Sequence, residues 1–308
     1  MQIRSTALSC AGKVYKVYRV DFNSLTELEV WLSEDPEVNE KVFPSPKSAY
    51  MPESFAGAPL DEAIRYCHGG YTKGFPMFMQ LKKELERANV KAMDLRRSVP
   101  AVVGARPNVP NFVAGTPKTM YRLDRAKEKK FVDVMINLAY PGDTTEEQIR
   151  NRGILTLNLI SLFEQNHMGV NLYVFEASFF AGEIFLAEIR LKRPGEATNV
   201  GKCYYPLCGK EFVRRLLVRV KESMPFREKW GIGYGGVLPE EMLRQCMNIK
   251  EGTIVIGPPD ELGIQGKNIY QDADAFFEHL ELKEEIRVVK YSEYLGSKDH
   301  PVGRTNRR

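Results

Sequence analysis

The stretch Phe131–Ile149, FVDVMINLAYPGDTTEEQI, decides the fold. Phe131 to Tyr140 is nearly continuous in apolar residues, the pattern of a strand buried on both faces. Pro141-Gly142 stops it. Thr144 and Glu147 then fit the capping-box spacing, in which a hydroxyl and a carboxylate satisfy free amides at a helix start. Asp143 and Glu146 suit the positive end of the helix dipole. The predicted helix carries Ile149, Ile154, Leu157, Ile160 and Leu162 and stops near Asn166, before Gly169. A buried strand feeding a long helix is the opening of an α/β unit.

The pattern continues outward from there. Asn171–Glu176 and Glu183–Lys192 read as strands, the latter alternating. Lys210–Glu222 reads as an amphipathic helix, with Phe212, Val213, Leu216, Leu217 and Val220 inward. A short helix over Pro239–Met247, a strand at Thr253–Gly257, a helix over Asp272–Leu280 and a strand at Glu285–Tyr291 follow. This alternation predicts an α/β fold with an open, mainly parallel, Rossmann-like sheet over residues 130–295 and a basic tail at 296–308.

Residues 1–98 are expected to form an α+β N-terminal extension. Lys13–Phe22 is Val- and Tyr-rich and predicts a strand. Ser24 and Glu27 form a second capping-box candidate, ahead of Leu25, Leu28, Trp31 and Leu32. Val42–Pro59 holds four prolines and reads as a loop; helices are expected at Leu60–His68 and Pro76–Ala88. Residues 99–129 form a Pro/Gly-rich strap. Its Val102, Val103, Val109, Phe112 and Val113 predict that it lies against a core.

The bulk numbers exclude several classes. The chain has 308 residues, 43% hydrophobic and 27% charged, which suits a globular protein. No stretch approaches the ~20 apolar residues of a membrane span, and Met1–Lys13 has no signal-peptide core. No membrane partner is expected, and the cytoplasm is the expected compartment. The net charge of +4 is weaker than that of a dedicated duplex binder. The cysteines are Cys10, Cys67, Cys203, Cys208 and Cys246, odd in number and without a CxxC, so reduced structural thiols are expected.

Ligands of an open α/β sheet sit at the carboxyl ends of its strands. The residues predicted to line that crevice are Asn137, Asp143, Thr144, Ser178 and Asp260, with the loop Gly231–Gly236 between them. No P-loop, complete dinucleotide fingerprint or nucleophile elbow occurs. Cys67 and His68 are adjacent on a helix, so their side chains diverge by about 100°. No catalytic residue is assigned, no cofactor is expected, and a hydrolase would need a site assembled from distant residues. Lys210, Arg214, Arg215, Arg219 and Lys221, followed by Arg227, Lys229 and Trp230, are the alternative candidate surface: cations beside an aromatic, as in single-strand binders. The other reading of that sector is a solvated helix face.

The order of elements from Phe131 to Leu280 resembles a von Willebrand factor A-type domain. The strand ending in Val174-Phe175-Glu176-Ala177-Ser178, the glycine-rich loop and the turn at Asp260 carry the likeness. That family's metal site takes Asp-x-Ser-x-Ser after the first strand; this sequence offers Asn137, Ala139 and Pro141. No metal is therefore expected, and the resemblance implies binding rather than metal chemistry. In the first half, Ser54-Phe55-Ala56-Gly57, Gly69-Gly70-Tyr71 and Val103–Met120 resemble uncharacterised phage and plasmid proteins, which implies a bacterial host. The combined expectation is a non-enzymatic protein-interaction or assembly module that meets a protein partner through strand-end loops and the strap. A nucleic-acid-binding accessory factor is the alternative.

Overall fold

The computed structural model describes residues 3–10, 12–71, 74, 76, 79–80, 98–104, 106–123, 131–165, 168–228, 230, 235–263, 266–271, 275–276 and 279–280. Most of the expected helix at 76–88 and all of the expected strand at 285–291 and basic tail lie outside them, as does Lys229. The expected helix at 272–280 is described at four positions only.

The fold is α/β, built on one mixed sheet. β1 (Ile3–Cys10) and β2 (Lys13–Phe22) form a hairpin; β6 (Phe131–Asn137), β7 (Gly169–Phe180), β8 (Glu183–Lys192) and β10 (Ile254–Ile256) complete the order β1-β2-β8-β7-β6-β10. β10, β6 and β7 run parallel, and β2 runs parallel to β8. β7 and β8 are antiparallel, joined at Ala181-Gly182, where φ is +48° and +83°. Positive φ at both central residues makes the two-residue turn that matches strand twist.

The sheet runs across the boundary expected near residue 98. β2 pairs with β8 from Lys16↔Glu183 to Phe22↔Ile189, so the N-terminal extension shares the sheet of the C-terminal half. Side chains alternate between two cores, as pleating requires. Val134, Ile136, Leu172, Val174, Phe185 and Ala187 enter the larger core, with Leu28, Tyr66, Ile160 and Phe212 from helices. Met135, Phe175, Ala177, Ile184 and Leu186 enter the smaller one, covered by Met242, Leu243 and Met247.

The helices on the larger face are α1 (Leu25–Ser33), α2 (Lys47–Tyr50), α3 (Glu53–Ala56) and α4 (Leu60–Gly69). After the strap come α6 (Glu146–Gln165), which links β6 to β7, and α7 (Val200–Cys208). Ser24 Oγ accepts the Glu27 amide at 3.1 Å; the Glu27 carboxylate reaches the Asn23 amide at 2.7 Å rather than that of Ser24. The capping exchange forms with its return bond one residue early.

The helix expected over Lys210–Glu222 is a π-helical turn, Phe212–Leu217, continued by α8 (Val218–Glu222). Its apolar residues are buried as expected, but its basic residues are not solvated. Arg214 and Arg215 are 8% and 2% exposed. They lie under the proline-rich loop, whose carbonyls need donors once buried. Arg215 donates from Nε to the Ala58 carbonyl (3.0 Å), from Nη1 to Ser48 (3.0 Å), and from Nη2 to Met51 (2.6 Å) and Gly57 (3.5 Å). Glu222 accepts the Lys47 and Ser48 amides at 2.6 and 3.2 Å and the Ser48 hydroxyl. Glu211 accepts the Ala58 amide at 3.3 Å. Gly57, at φ +77°, passes so close that a Cβ there would lie 2.3 Å from Glu211 Cγ.

Arg215→Met strips three buried carbonyls and the half-buried Met51 carbonyl of their donor. It should lower unfolding stability by more than ~3 kcal/mol in urea titration and open residues 42–59 to protease. Arg219→Ala should cost under ~1 kcal/mol, because the Asp35 partner of Arg219 is 88% exposed.

Candidate functional site

β6 and β10 end side by side, with Ile256 opposite Ile136. Arg152, on the second turn of α6, lies 1% exposed against those ends. Its Nη1 donates to the Asn137 carbonyl and, at 3.5 Å, to that of Gly257. Tyr270 donates its hydroxyl to the same Gly257 carbonyl at 3.1 Å. Burial lowers the pKa of Arg152, against the opposing influence of Tyr270, Tyr140, Cys208 and Asp260. Burial raises the hydroxyl pKa of both tyrosines well above the ordinary range, so both stay protonated.

The crevice holds polar atoms that find nothing to bond. Tyr140 Oη, Arg152 Nε and Asp260 Oδ1 are shielded from solvent and have no hydrogen-bond partner among the described residues. Buried polar groups are nearly always paired; Arg190 Nε, Arg219 Nε and Glu211 Oε2 elsewhere in the fold are likewise without a partner among the described residues. A shallow groove of about 230 Å³ is lined by Thr145, Gln148, Asn151, Asn268, Tyr270 and Gln271, with Glu147 at its side.

Of the residues predicted from sequence, Asn137 meets Arg152 through its carbonyl, and Asp260 lies three residues past the Gly257 carbonyl that Arg152 also reaches. Asn137 Oδ1 accepts the Ala139 amide at 2.9 Å and so closes its own turn. Thr144 lies on the same loop but nearer Arg214, which donates to its carbonyl at 3.1 Å. Asp143 faces solvent. Ser178 stands apart: β7 runs three residues past the end of β6 before reaching it, and there β9 (Gly236–Val237) takes over, pairing Ser178 with Val237. The helix cap also moves by one residue. Thr145 Oγ1 accepts the Gln148 amide at 3.2 Å, and Gln148 Oε1 accepts the Thr145 amide at 2.9 Å. Thr144, expected in that role, is buried with its hydroxyl unpartnered among the described residues.

The basic surface expected on residues 210–221 is not presented to solvent. Lys210 pairs with Glu146 and the Ser54 carbonyl. Arg214 donates to Phe55, Gly142 and Thr144 carbonyls and stacks 4.1 Å over the Phe55 ring. Arg219 holds Asp35 and the Pro36 carbonyl. Lys221 is buried against Glu176, beneath the Phe185 and Trp230 rings. Trp230 is itself buried against Phe226. Arg227, which the sequence placed beside this set, is exposed.

No disulfide joins the five cysteines, all of which lie among the described residues. Burial raises the Cys67, Cys203 and Cys208 thiols to about 12 and the Cys246 thiol to about 11. Cys67 is buried while the neighbouring His68 side chain is 80% exposed, so the two do diverge. No group of three or more His, Cys, Asp or Glu side chains that could hold a metal occurs among the described residues.

The strap is built otherwise than expected. β3 (Ser98–Ala101), β5 (Met120–Leu123) and β4 (Arg106–Pro107) form a separate antiparallel sheet, in the order β3-β5-β4. Between β4 and β5 lies α5 (Val109–Val113), capped by Asn108 Oδ1 on the Asn111 amide at 3.2 Å. Val109, Phe112 and Val113 recur at helical spacing and form one face. That face is open to solvent, at 59%, 71% and 80% exposure. Val102 and Val103 are exposed as well, so these residues do not lie on a core.

Thr145→Ala should cost about 1 kcal/mol in unfolding free energy, whereas Thr144→Val should cost nothing measurable. At pH 8 a thiol of pKa about 12 is thiolate in about one molecule in ten thousand. Cys67, Cys203 and Cys208 should therefore resist iodoacetamide in the native protein and react in denaturant, as read by mass spectrometry.

No curated protein and no solved structure matches the chain. One family model matches residues 4–284, nearly its whole length. The chain belongs to that family, the domain of unknown function DUF7192.

Proposed function

We propose that this protein is a non-enzymatic interaction module that docks a protein partner through the strap. The observation that carries the reading is the exposed face Val109–Phe112–Val113, on a capped helix held by its own small sheet. Ordering apolar side chains in water gives no return within the chain, whereas it prepares a surface for association. The strap's charge selects the partner's chemistry. Ser98–Leu123 contains Arg106, Lys118 and Arg122 and no Asp or Glu. The fitting occupant is an apolar cleft with an acidic rim, where basic side chains guide approach and the apolar face supplies affinity.

The rest of the structure supports binding over chemistry. The thiols are held protonated, and the cations of residues 210–221 serve backbone carbonyls and carboxylates. A von Willebrand A-like assignment accords with the placement of β6, α6 and β10 around a crevice at the strands' carboxyl ends.

A photo-crosslinking amino acid at Phe112, used in the native cell, should give one discrete adduct with an acidic protein. The purified partner should bind the wild-type chain and lose at least tenfold in affinity on Phe112→Ser or Arg106→Glu. Both variants should unfold within ~0.5 kcal/mol of wild type, because the residues are exposed. A partner that binds both variants equally well, or a Phe112→Ser chain that unfolds more than ~2 kcal/mol early, overturns the reading.

A further inference from the structure

The outer side of β1 is unused by the rest of the fold. β1 ends the main sheet, and among the described residues only β2 pairs with it. A strand at a sheet edge points every second N–H and C=O outward, a template for another strand. Natural edges are usually cut short or carry a proline, which removes a donor. The other edges among the described residues follow that habit. β10 has three residues and is followed by Pro258-Pro259, β9 has two, β3 contains Pro100 and β4 ends in Pro107. β1 departs from it. It pairs with β2 over eight residues without a register shift, has no proline and bears one charge, Arg4. Arg4 to Ala7 are all exposed.

The charge beside this edge selects its occupant. Met1–Val20 contains Arg4, Lys13, Lys16 and Arg19 and no Asp or Glu. Arg4 pairs with Asp21, and Arg19 bridges Asp21 at 2.7 Å and Glu188 at 3.0 Å, so the two arginines are matched by two carboxylates. Lys13 and Lys16 have no ion pair among the described residues; Lys16 Nζ sits 4.8 Å over the Tyr18 ring. Lys16 lies directly opposite Ala7, so both side chains share one face, where Ser5 and Ser9 flank Ala7. These small residues leave room above β1. A strand added there lies about 9.5 Å from β2, two strand spacings, a gap that a lysine and a glutamate close from either side. A second copy of the chain would bring the same lysines edge to edge, and like charges disfavour that pairing.

We propose that the outer edge of β1 docks an extended acidic segment of another protein, which continues the sheet as a strand beside β1. Main-chain hydrogen bonds supply the attachment. Acidic side chains on the Ala7 face meet Lys16, and the exposed Lys13 beside the hairpin turn guides approach. The site is separate from the strap and stands or falls independently of it.

Two end-blocked peptides as long as β1, one alternating Val and Glu and one alternating Val and Lys, test this on the full chain. The Val–Glu peptide should bind in roughly the 0.1–1 mM range of a single short strand. The Val–Lys peptide should bind at least about tenfold more weakly. Backbone amide exchange, followed by NMR, should slow at alternate residues of Ile3–Cys10, those whose N–H points outward. A Val–Glu peptide N-methylated at every amide keeps its charge and should not bind, because its donors are gone. Lys16→Gln should bring the two peptides to within about threefold of each other, and it places no new carboxylate beside Glu183, its neighbour on β8. No binding at millimolar peptide, equal binding of the two peptides to the wild-type chain, undiminished binding of the methylated peptide, or protection confined to residues outside β1 each overturns the proposal. Slow exchange at the same alternate residues in the free chain, together with a dimer in sedimentation, gives the edge to a second copy and overturns it as well.

Discussion

Two adjacent arginines and two carboxylates on one buried helical segment hold a proline-rich loop that cannot hydrogen-bond to itself. Prolines at 44, 46, 52 and 59 prevent long regular structure between α1 and α4, yet Ser48, Ala56 and Ala58 are fully buried there. Their backbone groups need partners from elsewhere. Arg214 and Arg215 supply donors to the loop's carbonyls, while Glu211 and Glu222 accept its amides. Both arginines lie in the π-helical turn at Phe212–Leu217, and wide turns of this kind recur at specialised positions.

This clamp explains why so much charge is buried on one side of the sheet. Glu211, Glu222, Arg214, Arg215 and Lys221 are all nearly inaccessible, and they lie within twelve consecutive residues. Isolated, each would be prohibitive to desolvate. Paired with backbone dipoles or with each other, they add less net stability than an apolar core would, but they admit one arrangement of the loop. The loop in turn supplies the Phe55 ring on which Arg214 stacks, and Arg214 holds the loop after β6 through Gly142 and Thr144. The position of the crevice therefore depends on a chain of contacts that begins in the proline-rich loop.

The parts legible in sequence are those governed by local rules. Continuous apolar character marks β6 and β10, and hydroxyl-plus-acid spacing locates both helix starts to within a residue. The cap after β6 sits one residue beyond the expected one because Thr144-Thr145 and Glu147-Gln148 offer two registers of the same motif, and burial of Thr144 chooses between them. The role of the basic helix is invisible in sequence because local amphipathicity cannot tell water from a loop whose backbone is short of partners. The β1–β2 hairpin joins the main sheet through β8, a pairing between residues more than 160 positions apart, for which neither strand carries a local signal. Arg152 does leave a trace. It falls three residues after Ile149 and seven before Leu159 on the buried face of α6, a charge within an apolar stripe.

Apolar atoms on a protein surface are commonplace, and so are polar atoms that reach water; departures from both habits carry information. This fold departs from both, in separate places. In the crevice, donors and an acceptor are enclosed without partners, although the neighbouring loop shows that the chain can satisfy even four carbonyls with one side chain. On the strap, three large apolar side chains face water from a helix that is capped and braced. The strap helix contributes to neither hydrophobic cluster, whereas Tyr140 and Tyr270 of the crevice pack in the larger one. The chain solves harder burial problems a few residues away, so inability to pack is a poor explanation for either. On the proposed docking reading, the strap's apolar face is a part of the fold left for a partner to cover.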